Sequence, residues 1–429
     1  MKYLPLPSEM FVENRKRLVE NLPSGALAIF NSNDILPTNG DGTMPFKQNS
    51  DIFHQCGVDQ EESILVIFPD AHRESHREIL FVTETNEHIA RWEGEKLTKQ
   101  SAYEVSGIKN VQWLDQFPNL LKSLMSEASV VYLNANEHLR RGVATETRDD
   151  RFVKKLKSDY PLHTYARLAP IMHKIRSVKT HWEMEVMRKA AEITIKGYKR
   201  VLKTIRPGIM EYELEAEFMH TFLSNRSDGF AYTPIIASGG NACVLHYIEN
   251  NQECKDGDLI LFDVGAVYAN HCCDVTRCFP VNGRFTERQK EVYSAVLRVM
   301  KKCFTLLKPG VYLDDYHKQV GEIMTEELLT LGLITQEDVN NQNPDWPAYK
   351  KYFMHGTSHF IGLDTHDVGL WTEPIKEGMV FTVEPGIYIP EEGLGIRIED
   401  DILITSNGHE NLTAAIPKEI EEIEAFMNQ

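Results

Sequence analysis

KDGDLILFDVG (residues 255–265) and KEGMVFTVEPG (residues 376–386) share one layout: lysine, acid, glycine, five mostly apolar residues, a carboxylate, one more residue and glycine. Each apolar run is short, partly β-branched and bounded by glycine, which predicts a buried strand rather than a helix. A second matched pair lies upstream of each strand. TIRPGIMEYELEAEF (residues 204–218) and LLKPGVYLDDYHKQV (residues 306–320) both read as the end of a helix, basic-Pro-Gly, and a following helix. Two similarities in the same order point to an internal duplication. Two copies are too few for a solenoid, which needs at least three. The expectation is two α/β halves facing each other across a pseudo-two-fold axis. Asp263 and Glu384 are then equivalents on either side of one central site.

Working outward, residues 257–399 collect further ionisable groups in apolar or Gly-marked settings. Asp274 follows Asp263 in GDLILFDVGAVYANHCCDVTR, His355, His359 and His366 lie in HGTSHFIGLDTHDVG, and Arg397 and Glu399 in GIRIEDD. A carboxylate at the end of a buried strand costs several kcal/mol unless it is paired or bound to metal. Pairing with Arg397, Arg277 or backbone amides explains any one of these acids. Taken together with His359 and the duplication, Asp263, Asp274, His359, Glu384 and Glu399 read as a ligand set for divalent metal. A carboxylate-rich set with one imidazole suits Mn²⁺, and less obviously Zn²⁺ or Co²⁺. His271-Cys272-Cys273 with Cys278 lacks the spaced CxxC geometry of a thiolate zinc site. HExxH spacing is absent too. His246, in CVLHYIEN ahead of the first metal-bearing strand, fits a core histidine and a site residue equally well.

The bulk numbers narrow the function. At 429 residues, two domains are the default. A net charge of −17 argues against binding nucleic-acid phosphates. No run approaches the ~18 apolar residues of a membrane span, and the N-terminal stretch has no signal-peptide h-region, so a cytoplasmic protein is expected. Seven irregularly spaced cysteines read as reduced thiols. In the N-terminal half, ALAIF (residues 26–30), SILVIF (63–68), EILFVT (78–83) and VVYL (130–133) suit buried strands of an α/β domain. No Gly-rich phosphate loop follows any of them. The domain expectation is an N-terminal α/β domain over residues 1–165, a linker over 166–177, and a catalytic domain over 178–429.

LHYIEN, LFDVGAVYANHCCDVTRCFPVNGRFT, HGTSHFIGLDTHDVG, VEPGIYI and GIRIEDDILIT together resemble the aminopeptidase P and prolidase branch of the pita-bread metallopeptidases. PFKQNSDIFHQCGVDQEESILVI is similar to that family's N-domain signature, departing from it at Lys47 and at Phe53-His54-Gln55. The resemblance implies an α/β (α+β) protein, an N-terminal α/β domain followed by a duplicated pita-bread domain with a central dinuclear metal site. It implies that Asp263, Asp274 and Glu399 hold one ion, and that Asp274, His359, Glu384 and Glu399 hold the other. A hydroxide between the two ions is the implied nucleophile and Glu384 the proton shuttle. His366 and His246 are assigned to the substrate carbonyl, and His355, Arg397 and Tyr388 to shaping the pocket or orienting ligands. The implied substrates are peptides with proline second, the implied activity is that of an Xaa-Pro aminopeptidase, and the implied assembly is a homodimer or homotetramer in which a neighbouring N-domain borders the site. Prolidase, which cleaves Xaa-Pro dipeptides, is the nearest rival, and Ser358 leans toward the aminopeptidase. Methionine aminopeptidase lacks this kind of N-domain, and creatinase has no metal. A non-catalytic pita-bread binding protein is disfavoured by the intact ligand set.

Overall fold

The computed structural model describes residues 2–428; Met1 and Gln429, the outer ends of the two expected domains, lie outside the described residues. Two compact units divide the chain, Tyr3–Arg176 and a second from Ser177 onward.

In the first unit ALAIFN forms β1 (Ala26–Asn31), buried along its whole length. Successive side chains of a strand point to opposite faces. Leu27 and Ile29 accordingly join Phe81, Leu124 and Val131 in one cluster, while Ala28 and Phe30 join Leu18, Ile52 and Leu80 in another. Helix Phe117–Glu127 supplies Leu124 and helix Ser8–Val19 supplies Leu18, so a helix covers each face. With β2 (Ile64–Ile67), β3 (Glu78–Val82), β4 (Val111–Trp113), β5 (Val130–Leu133) and β6 (Tyr165–Arg167), the sheet order is β4-β3-β2-β1-β5-β6. β1 runs parallel to β5 and antiparallel to β2, which makes the sheet mixed. Residues 166–177, where a linker is expected, instead carry the end of β6 and the helix Ala169–Ser177. Pro170 lies in the first turn of that helix, where its missing N–H is not needed. Nine residues are too few to display a helical period.

The duplication is visible in the second unit as repeated hydrogen bonds. Helices His181–Val201 and Glu287–Leu306 both open on capping boxes, Thr180 with Glu183 and Thr286 with Gln289. Helices Glu211–Ser224 and Leu313–Thr330 follow them. The Gly208 amide donates to Cys254 O and the Gly310 amide to Ile375 O, both at 2.9 Å. In return, Cys254 N donates to Ile209 O and Ile375 N to Val311 O, both at 2.8 Å. Gly257 and Gly378, which start the two matched strands, have φ of +86° and +84°, conformations that side chains disfavour. This is the duplicated pita-bread arrangement expected from the sequence.

The strands of this unit are β7 (Gly229–Phe230), β8 (Ile235–Ser238), β9 (Leu259–Asp263), β10 (Ala266–Tyr268), β11 (His271–Cys272) and β12 (Thr276–Pro280) in the first half. The second half has β13 (Val380–Val383), β14 (Gly386–Ile389), β15 (Leu394–Arg397), β16 (Asp400–Thr405) and β17 (Gly408–Asn411). Sheets β12-β9-β8 and β13-β16-β17 carry the matched strands, beside the smaller sheets β11-β10-β7 and β14-β15. All seven cysteines are free thiols. Among the described residues, no helix is long and apolar enough to cross a membrane.

Candidate metal centre

Strand pairing assembles the site. β10 and β11 are joined by Ala269 and Asn270, both with positive φ (+46° and +61°), the backbone of a type I′ hairpin turn. The chain therefore doubles back, β12 pairs antiparallel with β9, and Thr276 falls opposite Asp263. Asp274 and Thr276 are two residues apart and share a face, whereas Arg277 points the other way. The acidic run at the start of β16 alternates similarly. Glu399 accepts from Thr276 Oγ1 at 2.7 Å and Asp401 accepts from the Asp274 amide at 3.1 Å. Asp400, between them, faces away and binds Arg277 at 2.6 Å and Lys418 at 2.5 Å.

Asp274, His359 and Glu399, all buried, each offer one ligand atom within 4.8 Å of the others. Asp263 and Glu384 border this cluster. The Tyr232 hydroxyl lies 2.7 Å from Asp263 Oδ1 and 2.6 Å from Asp274 Oδ1. His359 Nε2 is 3.6 Å from Asp274 Oδ2 and 3.7 Å from Glu384 Oε1. Such separations are too long for hydrogen bonds. His359 Nδ1 is 3.0 Å from Phe360 O, and because a carbonyl only accepts, Nδ1 carries the proton. Nε2 is thus the nitrogen turned toward the two carboxyl groups, the usual orientation of a metal-binding imidazole whose other nitrogen is held by a backbone carbonyl.

A chain of donors braces the other side. Arg397 Nη2 donates to Asp263 Oδ2 at 2.6 Å, Nε to Thr276 Oγ1 at 3.0 Å and Nη1 to the Tyr388 hydroxyl at 2.8 Å. His355 Nδ1 donates to Gly356 O at 2.8 Å, which leaves Nε2 to accept from the Tyr388 hydroxyl, also at 2.8 Å. The alternative expected from sequence, carboxylates paired with arginine, is realised for Asp263, which Arg397 binds. Arg277 goes to Asp400, and no lysine or arginine among the described residues lies within salt-bridge distance of Asp274 or Glu399.

The electrostatics favour a cation among these groups. Burial first, and then Asp263 and Asp401, push the Asp274 carboxyl well above the usual carboxylate range. Burial and then Asp274 and Glu384 do the same to Glu399. Burial raises Asp401 to about 7. Several acids cannot all ionise at such close quarters in a low-dielectric interior without positive charge among them. The donor set therefore fits divalent metal, with oxygen ligands in excess of a single nitrogen.

His366 is exposed at the edge of this cluster, its ring centroid 4.5 Å from that of His359 in an edge-to-face arrangement. His246 is exposed in the turn after the short helix Gly239–Cys243 and forms no hydrogen bond to the carboxylates. Three contacting residues have no counterpart in the sequence reading: Tyr232, Thr276 and Asp401. Thr276 and Asp401 carry a usable signal, since each is two residues from a proposed ligand on a strand and so shares its face. Tyr232 carries none, because its partners lie 31 and 42 residues downstream.

Comparison with known proteins accords with this geometry. Residues 185–406 match the model of metallopeptidase family M24, and residues 11–132 match that of the aminopeptidase P N-terminal domain. The Xaa-Pro aminopeptidase of Escherichia coli K12 is 36% identical, with 97% of each chain covered. Among solved structures, E. coli aminopeptidase P with the inhibitor Pro-Leu superposes with a TM-score of 0.88 at 34% identity over 99% of both chains. The zinc-substituted form of that enzyme in complex with product gives a TM-score of 0.87 at the same identity and coverage.

Proposed function

From the premise that the chain belongs to metallopeptidase family M24, we propose that it is an Xaa-Pro aminopeptidase, releasing the first residue of peptides whose second residue is proline. The observation that carries the reading is the buried Asp274–His359–Glu399 cluster, bordered by Asp263 and Glu384. Those five residues would hold two divalent ions, and the excess of carboxylate oxygens favours Mn²⁺. When bound, the metal acidifies a water molecule and polarises the scissile carbonyl.

The remaining roles belong to the chain. Glu384 is half-buried, with Oε2 3.6 Å from His355 Nδ1. It is suited to carry a proton between water and the leaving nitrogen. Arg397 fixes Asp263 directly and the Glu399 partner Thr276 by a second bond, so it sets ligand geometry on both sides of the cluster. Tyr388, held between Arg397 and His355, transmits the same constraint to the pocket wall. His366 and His246, both exposed, are assigned to the substrate carbonyl side. Proline second makes chemical sense as the target. An X–Pro bond has no amide N–H, so peptidases that read extended backbone hydrogen bonds handle it poorly. A cytoplasmic homodimer or homotetramer completes the proposal.

Metal analysis of the purified protein beside Asp274→Ala tests it. The proposal requires bound divalent metal and metal-stimulated release of the first residue in the parent, and loss of both in the variant. Hydrolysis that survives unchanged in Asp274→Ala contradicts it.

A further inference from the structure

Glu211 begins the helix Glu211–Ser224 and is completely buried, although nothing in the metal centre uses it. Its carboxylate is saturated by one loop. Oε1 accepts from the Ser238 amide at 2.8 Å and from Asn241 Nδ2 at 3.3 Å. Oε2 accepts from the Tyr247 hydroxyl at 2.7 Å and from the Gln252 amide at 2.9 Å. These donors stand at both ends and in the middle of residues 238–252, the loop that carries His246. One turn further along the helix, Glu215 accepts from Asn250 Nδ2 at 2.9 Å, so the i, i+4 pair grips the same loop twice. The other side of the loop is held by backbone. A Cβ at Gly395 would lie 2.3 Å from Ala242 O, so only glycine lets β15 approach there, two residues before Arg397. The matching position in the second half, counted from the start of the following helix, is the apolar Leu313. The charge is therefore a feature of the half that bears His246, not of the duplicated fold.

We propose that Glu211 is a positioning residue that clamps the loop 238–252 and so presents His246 to substrate. The proposal rests on the reading of the site as a peptidase centre. Because His246 is exposed and in a turn, nothing in its own contacts fixes it. The ordering comes from below, through a buried acceptor with four donors from one loop. A carboxylate accepts from all four at once, whereas an amide cannot, since its NH₂ only donates.

A double-mutant cycle on the metal-loaded full-length enzyme tests this, with Glu211→Gln, His246→Ala and the pair assayed on an Xaa-Pro-Yaa tripeptide. Alone, Glu211→Gln is expected to lower kcat/KM roughly 10- to 100-fold, the scale set by leaving buried donors unpaired, with bound metal unchanged. In the His246→Ala background the same change should cost no more than about twofold, because residues acting through one another are not additive. An equal loss in both backgrounds overturns the proposal. If Glu211→Gln does not fold, Tyr247→Phe removes one donor from the same carboxylate and is run through the same cycle; wild-type behaviour of that variant also overturns it. Amide exchange at Ser238 and Gln252 reads the clamp independently of catalysis. Faster exchange at both positions in Glu211→Gln or Tyr247→Phe supports the clamp even if the parent fails to cleave Xaa-Pro peptides, while unchanged exchange refutes it.

Discussion

Metal binding to this centre must expel protons. Burial holds both Asp274 and Glu399 well above the usual carboxylate range, helped by Asp263 and Asp401 at the first and by Asp274 and Glu384 at the second, so both carboxyls favour the protonated form. Divalent ions need the ionised forms, and binding is therefore linked to proton release. The sign follows from the raised values: apparent affinity falls as pH falls, because protons compete for the same oxygens. If both carboxyls are protonated at the working pH, binding releases about two protons and affinity changes by about 100-fold per pH unit; if one is, the figures are about one proton and tenfold. Isothermal titration of metal into chelator-treated protein, repeated in buffers of different ionisation enthalpy, reads the proton count directly. Binding stabilises the fold as well, by about 2.7 kcal/mol when free metal is at 100 times its Kd, so the thermal midpoint should rise with metal concentration. An enthalpy independent of buffer, with affinity flat between pH 6 and 8, would refute the linkage between metal binding and proton release at Asp274 and Glu399.

Other consequences are local. Arg277→Met leaves the fully buried Asp400 with one cation, Lys418, beside the neutral donors Asn411 and Thr413, and should destabilise by about 3–5 kcal/mol in urea titration. Burial opposes ionisation of Asp400, but Arg277 and Lys418 win and hold it at about 2. Its stabilising contribution, about 2 kcal/mol, is therefore present above the ordinary carboxyl value and lost as pH falls toward 2, visible as a steeper acid limb than in Arg277→Met. Asp149 behaves oppositely, since burial raises it to about 7 despite the Asn31 hydrogen bond. The folded state holds that proton up to about 7 and the unfolded chain loses it near the ordinary carboxyl value, so stability is greatest below about pH 4 and declines as pH rises to 7; Asp149→Asn should gain most at pH 8, a smaller part of that at pH 5 and least at pH 4. Gly265→Ala would place a Cβ 1.6 Å from Cys273 O, against backbone rather than a side chain. It should cost at least about 1–3 kcal/mol and reduce metal content, because Cys273 precedes Asp274.

Much of the fold is legible because its punctuation is physical. The Lys-acid-Gly starts of β9 and β13 announce a backbone turn that favours glycine, and Gly257 and Gly378 adopt nearly the same positive φ. The ligand candidates are legible because ionisable residues at the ends of apolar strands need an explanation. What escapes the sequence is what depends on distance or brevity. β4 and β6 have three residues each, too few to show an alternating period. Pro170 reads as a breaker although it opens a helix. Tyr232 meets Asp263 and Asp274 only after the chain has folded. Asp400 and Asp401 are adjacent and identical in type, yet one serves an ion-pair network and the other the Asp274 amide, a division that only strand alternation creates.

The central claim is tested most directly by offering metal-loaded enzyme an Xaa-Pro dipeptide and the matching Xaa-Pro-Yaa tripeptide, each with and without chelator, and identifying the released amino acid. The account predicts metal-dependent release of the first residue from the tripeptide. Cleavage of the dipeptide alone, with the tripeptide untouched, would contradict it.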